Sequence, residues 1–232
     1  MSFWHTFTDL FLPRRCRVCD AELSPQESLL CNVCLLHIGM VEWTDLRDNP
    51  MLRILWNRCD VEAAAAGFYY RHASKTHNLF IDLKYRGCPQ VGKDLARRDF
   101  PRWYDKGLGQ GADMIIPVPL AWRKKLIRGY NQGEWIAQGI SEVSGIPLRT
   151  DILVKKRHNQ SQTRKNAQQR RENTLGVYQV SKSAENLNGK TLLLVDDIFT
   201  TGSTMAACIE VLLCHSPGAR IHVYTLGFSG DH

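Results

Sequence analysis

The sequence has no long hydrophobic run. A bilayer-spanning helix needs roughly 20 consecutive apolar residues, and the apolar stretches here, such as Ala63 to Tyr70 and Leu192 to Val195, fall far short of that. No membrane span is expected. The N-terminal MSFWHTFTDLFLP is apolar but broken by His5, Thr6, Thr8 and Asp9. It also lacks a basic n-region and a small-residue cleavage site, so it reads as a short amphipathic helix rather than a signal peptide. A cytoplasmic location is the expectation. Internal repeats are missing too. So is the compositional poverty of a disordered chain, because 44% of residues are hydrophobic and 23% charged, as in ordinary globular domains. The 232 residues suffice for one sizeable domain and a small appendage.

Acidic residues are scarce in one region. Between Ala121 and Glu172 there are four, Glu134, Glu142, Asp151 and Glu172, against twelve Lys and Arg. The formal net charge of +7 therefore belongs to that region. It points to a polyanion or to a phosphate-rich small ligand.

The eight cysteines fall into two groups. Cys59, Cys88, Cys208 and Cys214 are scattered singly and read as bland or buried thiols. Cys16, Cys19, Cys31 and Cys34 form C-x2-C-x11-C-x2-C. Each hook puts two sulfurs on one tight turn, and two hooks close four thiolates around a tetrahedral Zn²⁺. The surrounding segment is short and polar, so metal binding would supply its folding energy, roughly 10–16 kcal/mol by analogy with zinc-finger peptides. Four protein ligands leave no open position, so the metal would be structural. Arg14, Arg15 and Arg17 would offset the thiolate charge. Two disulfides, or a redox switch at one hook, are the other readings.

Glu42 to Cys59 reads as a linker running into a short helix, with Trp43 and Trp56 packing on the main domain. Val61 to Arg71 reads as a strand, Ser74 to Tyr85 as a helix ended by Gly87, and Val91 to Tyr104 as a second helix interrupted by Pro101. Strands and helices then alternate. Asp113 to Val118 is a strand. Asn131 to Val143 is a helix opened by an Asn131/Glu134 capping box and ended at Gly145. Ile152 to Val154 and Leu175 to Val180 are short strands. Thr191 to Val195 is an apolar strand of the doubly buried kind, Ser203 to Cys214 a helix, and Ile221 to Phe228 the last strand. The pattern predicts an α/β fold, a mostly parallel sheet flanked by helices.

The chemistry concentrates in LLLVDDIFTTGST, Leu192 to Thr204. A buried strand delivers two acids, then hydroxyls and a glycine, then a helix. Ligands bind at the carboxyl ends of strands in such sheets. Free N–H groups at the helix start and the helix dipole make an anion site, and Gly202 lets the backbone approach closely. Asp196 and Asp197 would repel a phosphate but suit hydroxyl groups. A sugar phosphate satisfies both halves of the segment.

This segment resembles the 5-phosphoribosyl 1-diphosphate (PRPP) signature of type I phosphoribosyltransferases. IIPVPLAWRKKLIRGYNQ (Ile115 to Gln132), QTRKNAQQRRENTLGVY (Gln162 to Tyr178), LKYRG (Leu83 to Gly87) and the four-cysteine knuckle together resemble the ComF family. The resemblance implies that Asp196 and Asp197 hold the ribose hydroxyls and act as the catalytic acids. It implies that Thr200, Thr201, Gly202, Ser203 and Thr204 hold the 5-phosphate. Lys124, Lys125 and Arg128 would contact the pyrophosphate. A basic loop at about 155–174, with Arg170, Arg171 and Asn173, would be mobile when empty and close over the ligand. Mg²⁺ would accompany PRPP. The expected layout is an N-terminal helix and knuckle over 1–45 and a phosphoribosyltransferase-like domain over 46–232. The family is linked with DNA uptake in natural competence. That implies single-stranded DNA and a competence helicase or recombination protein as partners, whether the chain turns PRPP over or serves as a non-catalytic adaptor. No segment reads as an acceptor-binding site.

Overall fold

Apolar strands that alternate with helices bury both faces only when helices cover the sheet on each side. The computed structural model describes residues 14–71, 75–156 and 177–230. In it, strands β1 (Ala63–Tyr69), β2 (Met114–Pro117), β5 (Thr191–Phe199) and β6 (Arg220–Phe228) form one sheet in the order β1-β6-β5-β2, with every pairing parallel. The first five residues of β5 and nearly all of β6 are buried, as strands covered on both faces require. A single bridge from Ile115 to Leu148 extends the sheet beyond β2.

The helices follow from crossover handedness. The paths from β1 to β2 and from β2 to Leu148 step toward one edge, whereas the path from β5 to β6 steps back. Right-handed crossovers therefore put α4 (Gln90–Asp105) and α6 (Gln132–Ser144), which pack on each other, on one face. They put α7 (Ser203–His215) on the other. Gly139 makes the α4–α6 approach possible, because a Cβ there would sit 2.4 Å from the Lys93 carbonyl oxygen.

Several boundaries differ from expectation. Pro101 does not interrupt α4, which runs through it. That residue is exposed, so the carbonyl it leaves unbonded is on the side open to water. Glu134 forms no capping box with Asn131. The Asn131 side chain accepts from Gly133 N, and Glu134 pairs with Lys125 at 2.9 Å. The short strands β3 (Leu153–Lys155) and β4 (Tyr178–Val180) stand outside the main sheet as an antiparallel pair.

The expected linker is more ordered than its composition suggests. Tyr69 N donates to Gly39 O, Val41 N to Gly67 O, and Ala64 N to Leu46 O, so residues 39–46 run along the free edge of β1. Trp43 packs edge-on against Phe228, with ring centroids 5.0 Å apart, as expected of it. Trp56 does not pack inward but is exposed. Helix α2 (Pro50–Trp56) is opened by the Asn49 side chain, which accepts from Leu52 N. In the knuckle, α1 (Asn32–Leu36) starts at Cys31.

Candidate functional site

Strand β5 does not end at Val195 as its apolar run suggests. It continues through Asp196, Asp197 and Ile198 to Phe199, paired with β6 along most of its length. The two acids therefore sit on a rigid strand. Residues 200–202 turn into α7, and a cleft lined by Asp196, Ile198 and the whole stretch 199–205 opens there, with Thr225 of β6 behind it. Gly202 adopts φ +69°, a left-handed conformation that favours glycine. A Cβ on it would meet the Phe199 ring at 2.7 Å. The first backbone N–H of this turn to find a helical acceptor is that of Ala206, which donates to Gly202 O. The N–H groups of Ser203, Thr204 and Met205 have no intrahelical acceptor and face the positive end of the dipole. The Thr201 and Ser203 hydroxyls are 3.0 Å apart.

Around the acids the charges are arranged unequally. Asp196 Oδ1 accepts from Asp197 N at 2.8 Å and Asp197 Oδ1 from Ile198 N at 2.6 Å. Asp197 Oδ2 is ion-paired with Lys84 Nζ at 3.1 Å. Lys84 lies in α3 (Lys75–Tyr85). Burial, reinforced by the neighbouring Asp197 carboxylate, pushes Asp196 up to about 8, against the pull of Lys84 and Lys155. Lys155 is itself lowered, chiefly by burial. Its ammonium donates to Tyr178 Oη at 3.0 Å. The β3–β4 pair therefore places Lys155 and Tyr178 beside the cleft. Arg58, just past α2, donates to Thr201 O at 3.1 Å and to Ser203 Oγ at 3.2 Å.

Asp196, Thr200, Thr201, Gly202, Ser203 and Thr204 come together in this cleft, whereas Asp197, the next residue on the strand, does not line it and pairs with Lys84 beside it. The basic candidates lie on α5 (Trp122–Arg128), a helix that buries no residue. Lys124 is close enough to Lys155 for its charge to depress that amine. Lys125 is held by Glu134, and Arg128 stacks over the Tyr85 ring at 5.0 Å. Arg170, Arg171 and Asn173 lie outside the described residues. Sequence reasoning did not single out Lys84, Lys155, Tyr178 or Arg58 as site residues, although Lys84 lies in LKYRG and Tyr178 ends the segment Gln162 to Tyr178. Lys155, expected to open the mobile loop, is instead the last residue of strand β3. A second, wider cleft opens at the opposite end of the sheet, lined by Arg47, Glu62, Thr191, Arg220 and His222 among others. It holds none of the expected residues, and its Arg47 and Glu62 face each other at 3.6 Å. The cleft at 196–205 is the better candidate, because a helix begins there with no side-chain cap on its first N–H groups and two acids lie on the strand before it.

The four sulfurs of Cys16, Cys19, Cys31 and Cys34 lie within 4.8 Å of one another, close enough to share one tetrahedral ion. Burial works against ionisation of Cys16, but N–H donation, from Cys31 foremost, outweighs it and brings the thiol down to about 6. Burial and the neighbouring thiols push Cys34 up to about 12. The Cys16 thiolate forms readily, while Cys31 and Cys34 resist until a cation joins them. The knuckle arginines turn elsewhere: Arg14 to the carbonyls of Ser24 and Glu27, Arg15 to Asp20, and Arg17 to within 3.9 Å of Asp82.

Residues 131–230 match the phosphoribosyl transferase domain family. Competence protein F of Haemophilus influenzae is 34% identical over 118 residues, 51% of this chain and 50% of that protein. Competence protein ComFC of Bacillus subtilis is 26% identical over 144 residues, 62% and 56% of the two chains. DNA utilization protein YhgH of Escherichia coli O157:H7 is 30% identical over 114 residues, 49% and 48%. The chain thus spans about half the length of these curated relatives. Among solved structures, adenine phosphoribosyltransferase from Leishmania tarentolae aligns over 78% of this chain and 88% of its own at 14% identity, with a TM-score of 0.36. Hypoxanthine phosphoribosyltransferase from Trypanosoma cruzi aligns over 61% and 68% at 14% identity, with a TM-score of 0.34.

Proposed function

We propose that this chain, which carries a phosphoribosyl transferase domain and is homologous to competence protein F, ComFC and YhgH, binds PRPP or a related ribose 5-phosphate in the cleft at Asp196–Met205. The observation that carries the reading is one turn with two chemistries. Unbonded N–H groups and hydroxyls at the start of α7 suit a dianionic phosphate. The carboxylates on the last strand residues suit the sugar hydroxyls.

Transfer would break the bond between C1 of the ribose and the diphosphate oxygen. Positive charge develops on the ring and negative charge on the leaving group. Asp197, and Asp196 once it has lost its proton, would stabilise the first, and Lys124, Arg128 and Lys155 the second. Mg²⁺ would neutralise diphosphate oxygens. Its ligands would come from that group and from water. Within the same reading, the four cysteines hold a structural Zn²⁺ and the chain divides near residue 45.

Calorimetry with PRPP tests the assignment. Binding is expected with the unaltered chain and loss of binding with Asp197→Asn; unchanged affinity in that variant overturns the ligand. Pyrophosphate released from PRPP in the presence of candidate bases would establish turnover.

A second reading, a non-catalytic adaptor for single-stranded DNA, is favoured by α5. Arg123 lies 5.5 Å over the Trp122 ring and Arg128 over Tyr85, beside Lys124. Exposed aromatics among cations form stacking platforms for bases. Its mark would be oligonucleotide affinity that falls steeply with salt.

A further inference from the structure

We infer that Lys84 is a positioning residue that fixes Asp197 for reading ribose hydroxyls, and so sets the preference of this site for ribose over 2-deoxyribose. The inference rests on the phosphoribosyl reading of the cleft. Three observations place Lys84. Its ammonium is 3.1 Å from Asp197 Oδ2, and both side chains are largely withdrawn from water, at 22% and 17% exposure. The end of α3 that carries it is anchored on both sides. Leu83 is fully buried, its carbonyl accepts from Tyr130 Oη at 2.7 Å, and Phe80 packs where a Cβ on Gly227 would sit. Finally, Asp197 has its other oxygen on Ile198 N, so Lys84 and the strand clamp the carboxylate from two directions.

A clamped acceptor rejects a ligand that lacks the hydroxyl, because its own lone pair is left without a donor. A carboxylate freed from its lysine rotates and hydrates, and loses that discrimination. Lys84 also offsets one charge of two adjacent acids. Lys84 is far in sequence from the matched segment 131–230, so this part of the selectivity would be supplied from outside it.

The test is the ratio of dissociation constants for 2-deoxyribose 5-phosphate and ribose 5-phosphate, by calorimetry on the full chain. The unaltered chain should favour ribose at least about tenfold. Lys84→Met should bring the ratio within about twofold while the melting temperature holds. Lys84→Arg should restore most of the preference. Lys84→Gln, polar and similar in length, is read the same way as Lys84→Met. An unchanged ratio in Lys84→Met and Lys84→Gln overturns the role of Lys84 and leaves the cleft assignment standing. Failure of the unaltered chain to bind either sugar phosphate overturns both.

Discussion

At the scale of single residues, the cleft depends on positions where substitution has a computable consequence. Gly202 has positive φ and no room for a methyl against Phe199 and Ile54. Gly202→Ala adds a left-handed penalty of about 1–2 kcal/mol to an overpacking cost of about 1–3 kcal/mol. The urea midpoint should fall, and sugar-phosphate affinity with it. Asp196 gives a pH prediction. Its folded value, about 8, lies above the ordinary 3.8, so between those values the folded chain holds a proton that the unfolded chain has released. The contribution of this acid to stability must then decline as pH rises from about 4 to about 8 and level off above. Asp196→Asn is neutral throughout. Unfolding curves across that range should show the unaltered chain losing ground to the variant as pH rises, and parallel curves would refute the burial of this acid.

At the scale of elements, a buried carboxylate joins helix to sheet. Asp99 of α4 accepts from Tyr224 Oη of β6 at 2.8 Å, from Trp103 Nε1 at 3.0 Å and from Arg102. Arg102 also reaches Val41 O and Gly67 O, and so holds the segment beside β1. Burial raises the Asp99 pKa, and the Arg102 charge opposes the rise. Asp99→Ala leaves Arg102 and two further donors without their acceptor, a loss of about 3–5 kcal/mol, measurable as a lowered denaturation midpoint. None of this was legible beforehand, since an Asp in an amphipathic helix reads as solvated. What was legible had local signals: the apolar run at Leu192, the hydroxyl-rich turn at Thr200 and the cysteine hooks. Arg58 carries no local signal for the site, and it is 143 positions from Thr201. The true end of β5 was hidden for a related reason. Asp196 and Asp197 look like a turn by composition, but their backbone is committed to β6.

At the scale of the whole molecule, the question is how far the knuckle and the sheet depend on each other. Knuckle residues Leu30 and Ile38 share one continuous hydrophobic cluster with Val41 and the sheet. The residues after the knuckle, 39–46, cover the edge of β1 that would otherwise expose unpaired backbone. Arg17 reaches toward Asp82 on α3, two residues before Lys84. Yet the sheet has its own parallel strand pairings, with α4 and α6 packed on it. Replacing Cys31 by Ser should therefore separate the two. Bound zinc, measured by elemental analysis, should fall from one ion per chain to none, because three remaining thiolates leave an open, labile site. Far-ultraviolet circular dichroism should still report a cooperatively melting α/β domain, at a lower midpoint because the cover of β1 loosens. A chain that loses zinc and all cooperative melting together would mean that the knuckle is part of the domain's folding nucleus rather than an appendage. A variant that keeps its full zinc content would mean that the four sulfurs do not act as one ligand set.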